Sequence, residues 1–260
     1  MANRKIKKEL QICYPQSMQQ YGLIGYPLEH SFSRQYFTEK FSKLNLPDHE
    51  YNLYPLPHIS EIVSLFSNPA LRGLNVTIPY KQAVMNYLDE FDDHALEIGA
   101  VNTIKFLPGG NRKGYNTDYN GFLDSLTRWC PVASIAIAFV LGTGGASKAV
   151  CAALTHLNIP YYLVSRRPKN GVVAYREIEN HWKPGVLVVN TTPLGMHPEV
   201  NSKPAIPYHL LNDQCYCYDL VYNPGTTAFM QEAEAQGAHS KNGLEMLQLQ
   251  AEKAWEIWNR

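Results

Sequence analysis

No excess of charge of either sign marks this chain. Its 23 lysines and arginines balance 23 aspartates and glutamates, so the formal net charge is zero. Nucleic-acid and membrane-surface proteins usually carry a basic excess. The balance argues against both, and leaves room only for a locally basic pocket that takes an anionic ligand. Long apolar runs are missing as well: nothing approaches the roughly 18 residues that a spanning helix needs. The opening stretch MANRKIKKELQICYPQSMQQ is basic but lacks the apolar centre of a secretory signal. It reads as a disordered or loosely docked tail, and no function is assigned to it. Cysteines are few. Cys13, Cys130, Cys151, Cys215 and Cys217 are odd in number and contain no C-x-x-C pair, which fits packing thiols in a reducing cytosol. The nine histidines are scattered without paired ligand spacing, so no metal site is expected. Internal repeats and low-complexity tracts are absent. The expectation is a cytoplasmic protein without metal.

What is present is a regular alternation. The 260 residues are 45% hydrophobic and 18% charged, enough for one large domain or two small ones. YGLIGY reads as a strand and SFSRQYFTEKFSKLNL as a helix, with Phe32, Tyr36, Phe37 and Phe41 spaced for one face. Tyr51–Leu56 is strand-like, HISEIVSLFSNPAL helical, and LRGLNVTI a strand. KQAVMNYLDEF and DDHALEIG read as helices, AVNTIKFL as a strand, and YNTDYNGFLDSLTRW as a helix. A second unit follows. SIAIAFV is a continuous apolar run, as in a strand buried on both faces. A glycine loop and helix, LGTGGASKAVCAALTHLN, lead to the strands PYYLVSRR, VLVVNTT and CYCYDLVY. This βαβ series predicts a parallel sheet. The stretch after Arg167 is short for a crossover, so its helix within VAYREIENHW should be small. NGLEMLQLQAEKAWEIWNR closes the series as one amphipathic helix. The fold class is α/β.

Certain residue types recur where chemistry needs them. Gly142, Gly144 and Gly145 lie between a strand and a helix. There glycine permits a tight turn and lets backbone N–H groups approach a pyrophosphate at the positive helix end. The third glycine of the usual fingerprint is absent, with Ser147 and Ala149 near its place. About 20 residues on, where an acidic side chain would hold the 2′-hydroxyl of NAD, stand Ser165, Arg166 and Arg167. A guanidinium pairs with a 2′-phosphate, which favours NADP; two solvated arginines are the plain alternative. In the other half, Ser31 and Ser33 of HSFS precede a helix. They would alternate with Phe32 if locally extended and suit a carboxylate ligand, though the pair reads equally as a helix cap. NVTIPYK carries Asn75, Thr77 and Lys81, VNT carries Asn102, and NTD carries Asp118. Hydroxyl, amide, lysine and carboxylate groups at strand ends are what a polyol site needs; singly, each is more often a cap or a surface group.

Taken together these stretches are distinctive. YGLIGYPLEHSFS, NVTIPYK, IGAVNT, NTDYNGF, GTGGASKA, NTTPLGM and NGLEMLQLQ follow one another over Tyr21 to Trp258. In order and spacing they resemble the shikimate dehydrogenase family over nearly the whole chain. The resemblance implies a two-domain α/β fold. A substrate domain would hold residues 1–115 and 241–260, and a Rossmann-like NADP domain residues 116–240, with the C-terminal helix returning to the first domain. It implies NADP-dependent, reversible reduction of 3-dehydroshikimate to shikimate in aromatic amino acid biosynthesis, with no metal, no nucleic acid, no membrane, and a monomer or homodimer.

Site residues carry over position by position. Ser31 and Ser33, helped by Tyr222 of DLVY, would bind the substrate carboxylate. Thr77, Lys81, Asn102, Asp118 and Gln250 would line the ring hydroxyls, with Lys81 and Asp118 beside the reacting oxygen. Gly142, Gly144, Gly145 and Ala146 would cradle the pyrophosphate. Ser165, Arg166 and Arg167 match the adenosine-phosphate element, where the family usually has Asn-Arg-Thr. Thr191 and Thr192 would border the cofactor, and backbone at Leu220 and Gly243 would face the nicotinamide amide. Arg34 stands where the family has proline, and the compact stretch after Arg167 shortens the wall around the adenine. Three other readings compete. An NAD-dependent quinate/shikimate dehydrogenase is disfavoured by Ser165-Arg166. A methylenetetrahydrofolate dehydrogenase is disfavoured by HSFS and NTD. A non-catalytic sensor would be expected to lose Lys81 or Asp118.

Overall fold

The first run of strand and helix signals closes into a sheet. A computed structural model describes residues 18–28, 31–169 and 171–260. Most of the basic leading stretch, together with Cys13 and His30, lies outside the described residues. In the first half, β1 (Gln19–Gly25) is flanked in parallel by β2 (His49–Pro55) and β3 (Leu71–Val76). Helix α1 (Phe32–Lys43) links β1 to β2. Of the four aromatics expected on one face of α1, Phe37 and Phe41 are buried, while Phe32 and Tyr36 sit half-buried at its edge. Strands β4 (Glu90–Phe91), β5 (Thr103–Phe106) and β6 (Arg112–Tyr115) complete the order β2-β1-β3-β5-β6-β4, with β5 antiparallel to both β3 and β6.

Two expected helices are shorter than their sequence patterns suggest. HISEIVSLF forms a 3-10 turn, Ile59–Glu61, running into the four-residue α2 (Ile62–Leu65). KQAVMNYLDEF forms a 3-10 helix only over Ala83–Tyr87 and then becomes β4. The reason is pairing. Asp89 N–H bonds the Arg112 carbonyl and Asp92 N–H bonds the Gly114 carbonyl. The Arg112 guanidinium also holds the Asp89 carboxylate. The sheet edge therefore satisfies backbone groups that a helix would have used. Helix α3 (Asp93–Ile98) follows as expected, capped by Asp92.

The second half begins with α4 (Thr117–Trp129). Its strands are β7 (Ile137–Leu141), β8 (Tyr161–Ser165), β9 (Val172–Ala174), β10 (Val186–Asn190), β11 (Tyr216–Asp219) and β12 (His239–Lys241). They form a wholly parallel sheet in the order β12-β11-β10-β7-β8-β9. β7 and β10 are buried throughout, as continuous apolar runs require. Helix α5 (Gly145–His156) crosses between β7 and β8, and α6 (Ala228–Ala235) between β11 and β12. The small crossover after Arg167 contributes an added edge strand, β9, and a 3-10 helix, Tyr175–His181, in place of a regular α-helix. Cys130, Cys151, Cys215 and Cys217 are free and buried. Burial pushes the Cys130 and Cys151 thiols up to about 11, consistent with packing rather than reactivity.

The two halves meet through α4 and α7 (Leu244–Trp258). Met246 near the start of α7 joins Phe122, Leu126 and Tyr218 in the core against the second sheet. Further along, Ala251, Ala254, Ile257 and Trp258 pack with Tyr21, Phe37, Phe41 and Tyr51 against the first. The Trp258 indole N–H donates to the Ile104 carbonyl at 3.0 Å. It lies so close to β3 that a Cβ on Gly73 would fall 2.2 Å from the indole nitrogen. The α4–α7 crossing is equally tight, since a Cβ on Gly121 would lie 2.6 Å from the Met246 carbonyl oxygen. The clash there is with backbone, which cannot rotate away. Gly121→Ala should therefore destabilise the fold by about 1–3 kcal/mol, overriding the helix propensity of roughly 1 kcal/mol that alanine gains over glycine. Urea unfolding of the purified variant measures this.

Candidate active site

Lys81 is held by its backbone. The chain leaves β3, turns at Pro79, and the Lys81 carbonyl accepts from Val101 N–H at 2.7 Å. Asp118 occupies the first turn of α4, whose N-cap Asn116 accepts from Tyr119 N–H and donates to the Ala100 carbonyl. A carboxylate in that turn is favoured by the helix dipole. The two side chains meet, with Lys81 Nζ donating to Asp118 Oδ2 at 2.6 Å. Asp118 is the more buried of the pair, and the lysine is the more exposed. A Cβ on Gly145 would lie 3.5 Å from Lys81 Cδ, so the lysine stem rests against the start of α5. The pair from the first half thus faces the glycine loop of the second.

Asn102 is buried beside it and uses both ends of its amide. Its Oδ1 accepts from Thr117 N–H at 2.6 Å and from the Thr103 and Thr117 hydroxyls. Its Nδ2 donates to Gln250 Oε1 at 3.0 Å, which brings in α7. The bonds continue away from the pair. Thr103 Oγ1 accepts from Asn75 Nδ2, and Asn75 Oδ1 accepts from the Tyr51 hydroxyl at 2.8 Å. Ser33 lies beside that hydroxyl, whose burial holds the phenol well above its usual range. Asn75 stood out in the sequence next to Thr77. Tyr51, Thr103 and Thr117 did not, because a strand tyrosine and strand-end threonines read as packing.

The serine pair sits at the N-terminus of α1. Ser31 has extended backbone and caps the helix, its Oγ accepting from Arg34 N–H at 3.4 Å. Ser33 already belongs to the first helical turn, so only Ser31 keeps the extended geometry expected for Ser31-Phe32-Ser33. The Phe32 ring meets Tyr222 edge-on at 5.8 Å, placing Tyr222 at the same helix end. Thr77 follows β3 and donates its N–H to the Ile24 carbonyl.

On the opposite wall, Gly142 has φ +111°, a conformation side chains avoid. A Cβ there would press to 2.8 Å from Thr191 Oγ1. Gly144 caps α5 without any side-chain hydrogen bond, which leaves the first N–H groups of Gly145, Ala146 and their successors for a ligand. Ser147 and Ala149, standing for the missing glycine, are buried against the core. Thr191 Oγ1 donates to the Leu141 carbonyl and Thr192 Oγ1 to Asn190 Oδ1. Leu220 N–H bonds the Asn190 carbonyl, and Gly243 packs so closely on Leu220 that a Cβ would lie 2.2 Å from its carbonyl oxygen. Ser165 Oγ accepts from Arg167 N–H. A cleft of about 510 Å³ runs beyond it, lined by Arg166, Tyr175, Arg176, Thr192 and Lys203 among others, and a neighbouring one by Thr143, Arg166, Arg167 and Lys169. Tyr175 and Arg176 come from the 3-10 helix that replaces the expected crossover helix. They supply a wall on the side where the sequence suggested a shortened one.

Among the described residues no group of three histidines, cysteines or carboxylates is placed to hold a metal ion. No described helix is long and apolar enough to cross a membrane.

Comparison with known proteins bears on the same arrangement. A family model described as the shikimate dehydrogenase substrate binding domain matches residues 23–104. The chain is 38% identical over 255 residues to a shikimate dehydrogenase (NADP(+)) of Caldanaerobacter subterraneus subsp. tengcongensis, covering 92% of this chain and 90% of that one. Its fold is similar to a chorismate mutase/shikimate 5-dehydrogenase fusion protein from Clostridium acetobutylicum (TM-score 0.84, 37% identity, 94% of this chain and 92% of that one). It is also similar to shikimate 5-dehydrogenase from Thermus thermophilus in complex with NADP(H) and shikimate (TM-score 0.81, 30% identity, 93% of each chain).

The buried amide of Asn102 gives a direct test of the hydrogen-bonded wall. Asn102→Ala leaves Thr117 N–H and Gln250 Oε1 without their partner, and should lower the unfolding free energy by about 1–3 kcal/mol. Denaturant titration reads the loss.

Proposed function

The chain belongs to the shikimate dehydrogenase family, and from that premise we propose that it catalyses the NADP-dependent, reversible reduction of 3-dehydroshikimate to shikimate, a step in aromatic amino acid biosynthesis. The observation that carries this reading is the 2.6 Å contact between Lys81 and Asp118, set against the glycine loop. A secondary alcohol must lose its hydroxyl proton as its carbon is oxidised, and the reverse reaction must supply a proton to the carbonyl oxygen. Lys81, the more open of the two, takes that proton on its amine in the oxidative direction and returns it as ammonium in the reductive one. Asp118 accepts the lysine hydrogen bond and holds the head group at the mouth of the cleft.

Substrate orientation falls to the remaining groups. Ser31 and Ser33, joined by Tyr222, hold the carboxylate at the positive end of α1. Thr77, Asn102 and Gln250 line the ring hydroxyls. Because Asn102 Oδ1 is committed to Thr117 and Thr103, its amide presents a fixed donor side toward Gln250 and the ring.

The residues present fit NADP. The uncapped start of α5, with Gly142, Gly144, Gly145 and Ala146, suits a pyrophosphate. The cleft beyond Ser165 carries Arg166, Arg176 and Lys203 with no carboxylate in its lining, and Arg167 stands in the adjoining one, which suits a 2′-phosphate. When bound, NADP supplies the hydride acceptor at its nicotinamide. Thr191 and Thr192 border the cofactor along its length, and backbone at Leu220 and Gly243 faces the nicotinamide amide. This assignment divides the chain into a substrate-binding part, residues 1–115 and 241–260, and a cofactor-binding part, residues 116–240.

Two substitutions test the reading. Lys81→Met should cut kcat for shikimate oxidation by roughly 10²–10⁴ while NADP binding, followed by fluorescence titration, persists. Turnover within a few-fold of the parent would remove Lys81 from proton transfer. Arg166→Ala removes a charge-assisted pair worth about 1.5–3 kcal/mol. Its loss in kcat/KM should appear with NADP and hardly with NAD, whereas equal losses with both would dissociate the arginine from the 2′-phosphate.

A further inference from the structure

Asp219, at the C-terminal end of β11, is fully buried and takes no part in the chemistry described so far. Three donors converge on its carboxylate. Oδ1 accepts from Asn190 Nδ2 at 2.9 Å and from Val221 N–H at 3.0 Å, and Oδ2 accepts from Thr227 Oγ1 at 2.6 Å. Each donor belongs to a different segment. Asn190 ends β10 and, through Oδ1, holds Thr192 by both its N–H and its hydroxyl. Val221 lies between Leu220 and Tyr222. Thr227 caps α6, accepting from Met230 N–H. One carboxylate thus ties the Thr191–Thr192 turn to the Leu220–Tyr222 segment, the two stretches assigned above to cofactor and substrate.

We propose that Asp219 is a positioning residue for hydride transfer, its ionised carboxylate holding the Asn190–Thr192 turn and the Leu220–Tyr222 segment in their reactive arrangement. The proposal rests on the functional reading above. Its physical basis is that folding alone does not call for a charge here. The titratable groups facing Asp219 are Cys217 on its own strand and Tyr208 from the 3-10 turn Tyr208–Leu210, and burial raises both. Lys203 and Glu232 of α6 lie beyond Tyr208 and pair with each other, and Lys241 of β12 is committed to Glu245. Burial therefore dominates and pushes the Asp219 carboxyl up to about 6 against the three donors. A folded value above the unfolded one means that the group's contribution to stability is full below about pH 4 and is lost as pH rises through about 6. At neutral pH the charge opposes folding. Asparagine has the same shape and keeps an acceptor for Asn190 and Val221, so it folds, but its bonds are neutral rather than charge-assisted and its Nδ2 reverses the bond to Thr227 Oγ1, which loosens the hold on the two segments.

The test compares the parent protein with Asp219→Asn. Melting of the ligand-free proteins and steady-state kinetics with shikimate and NADP are followed between about pH 5 and 8, with NADP binding by fluorescence. The variant should melt at or above the parent at pH 8. Its kcat should fall about tenfold or more, because small misplacements in a reacting pair are amplified, while its Kd for NADP stays within about threefold. The parent's kcat should show an acid step near pH 6 that the variant lacks. A second pair guards against misfolding: Thr227→Val keeps the carboxylate but removes one donor, moving the acid step to higher pH, and Thr227→Ser restores it. The inference is overturned if kcat of Asp219→Asn matches the parent, if both proteins share the same acid step, or if Thr227→Val leaves that step in place. A parent protein that binds NADP but oxidises no shikimate would instead overturn the functional reading.

Discussion

Everything in this molecule hangs on the crossing of α4 and α7. The two helices approach until a Cβ on Gly121 would lie 2.6 Å from the Met246 carbonyl oxygen, and at that distance no side chain fits between them. From this contact α4 presents Asp118 and Thr117 to the first sheet and Phe122 and Leu126 to the second. Helix α7 does the converse, with Met246 in one core and Trp258 in the other. A glycine-tight helix pair thus joins the two sheets through a contact with backbone, which cannot rotate aside as a side chain can.

The wall of the cleft on the first-sheet side is stiffened by hydrogen bonds rather than by apolar packing. Tyr51, Asn75, Thr103, Asn102 and Gln250 form one connected path, and buried polar groups arranged this way specify a single geometry only when every member is satisfied. The Lys81–Asp118 pair stands at the edge of this path. Across the gap the glycine loop is set mainly by backbone conformation, with the Ser147 hydroxyl donating to the Gly144 carbonyl and the Thr191 hydroxyl to the Leu141 carbonyl. One side of the cleft is therefore set mainly by side chains and the other mainly by the main chain.

Much of this was legible in the sequence. β7 and α5 were plain from an apolar run followed by glycines, and α7 from its amphipathic period. Lys81, Asp118, Asn102 and Gln250 stood in stretches whose order is specific, and they do converge. The edge of the first sheet was less readable. Helical periodicity in KQAVMNYLDEF was real, but pairing with β6 captured the backbone at Asp89 and Asp92, and such tertiary capture leaves no local trace. The wall behind Arg166 was hidden for a similar reason. Tyr175 and Arg176 look like ordinary surface residues of a short helix until β9 joins the sheet and turns them toward Arg166. Tyr51 and Asp219 were also invisible, since burial and three-way hydrogen bonding depend on segments far apart in the chain.

Trp258 bonds Ile104 across 154 positions of sequence, with the whole parallel sheet encoded between them. During synthesis the first sheet must wait for that distant indole. Until α7 emerges, the groove beside Gly73 and the ring cluster of Tyr21, Phe37 and Phe41 face water, while the second sheet has most of its own strands in hand. The half of the protein made first is thus completed only after the second sheet has been synthesised.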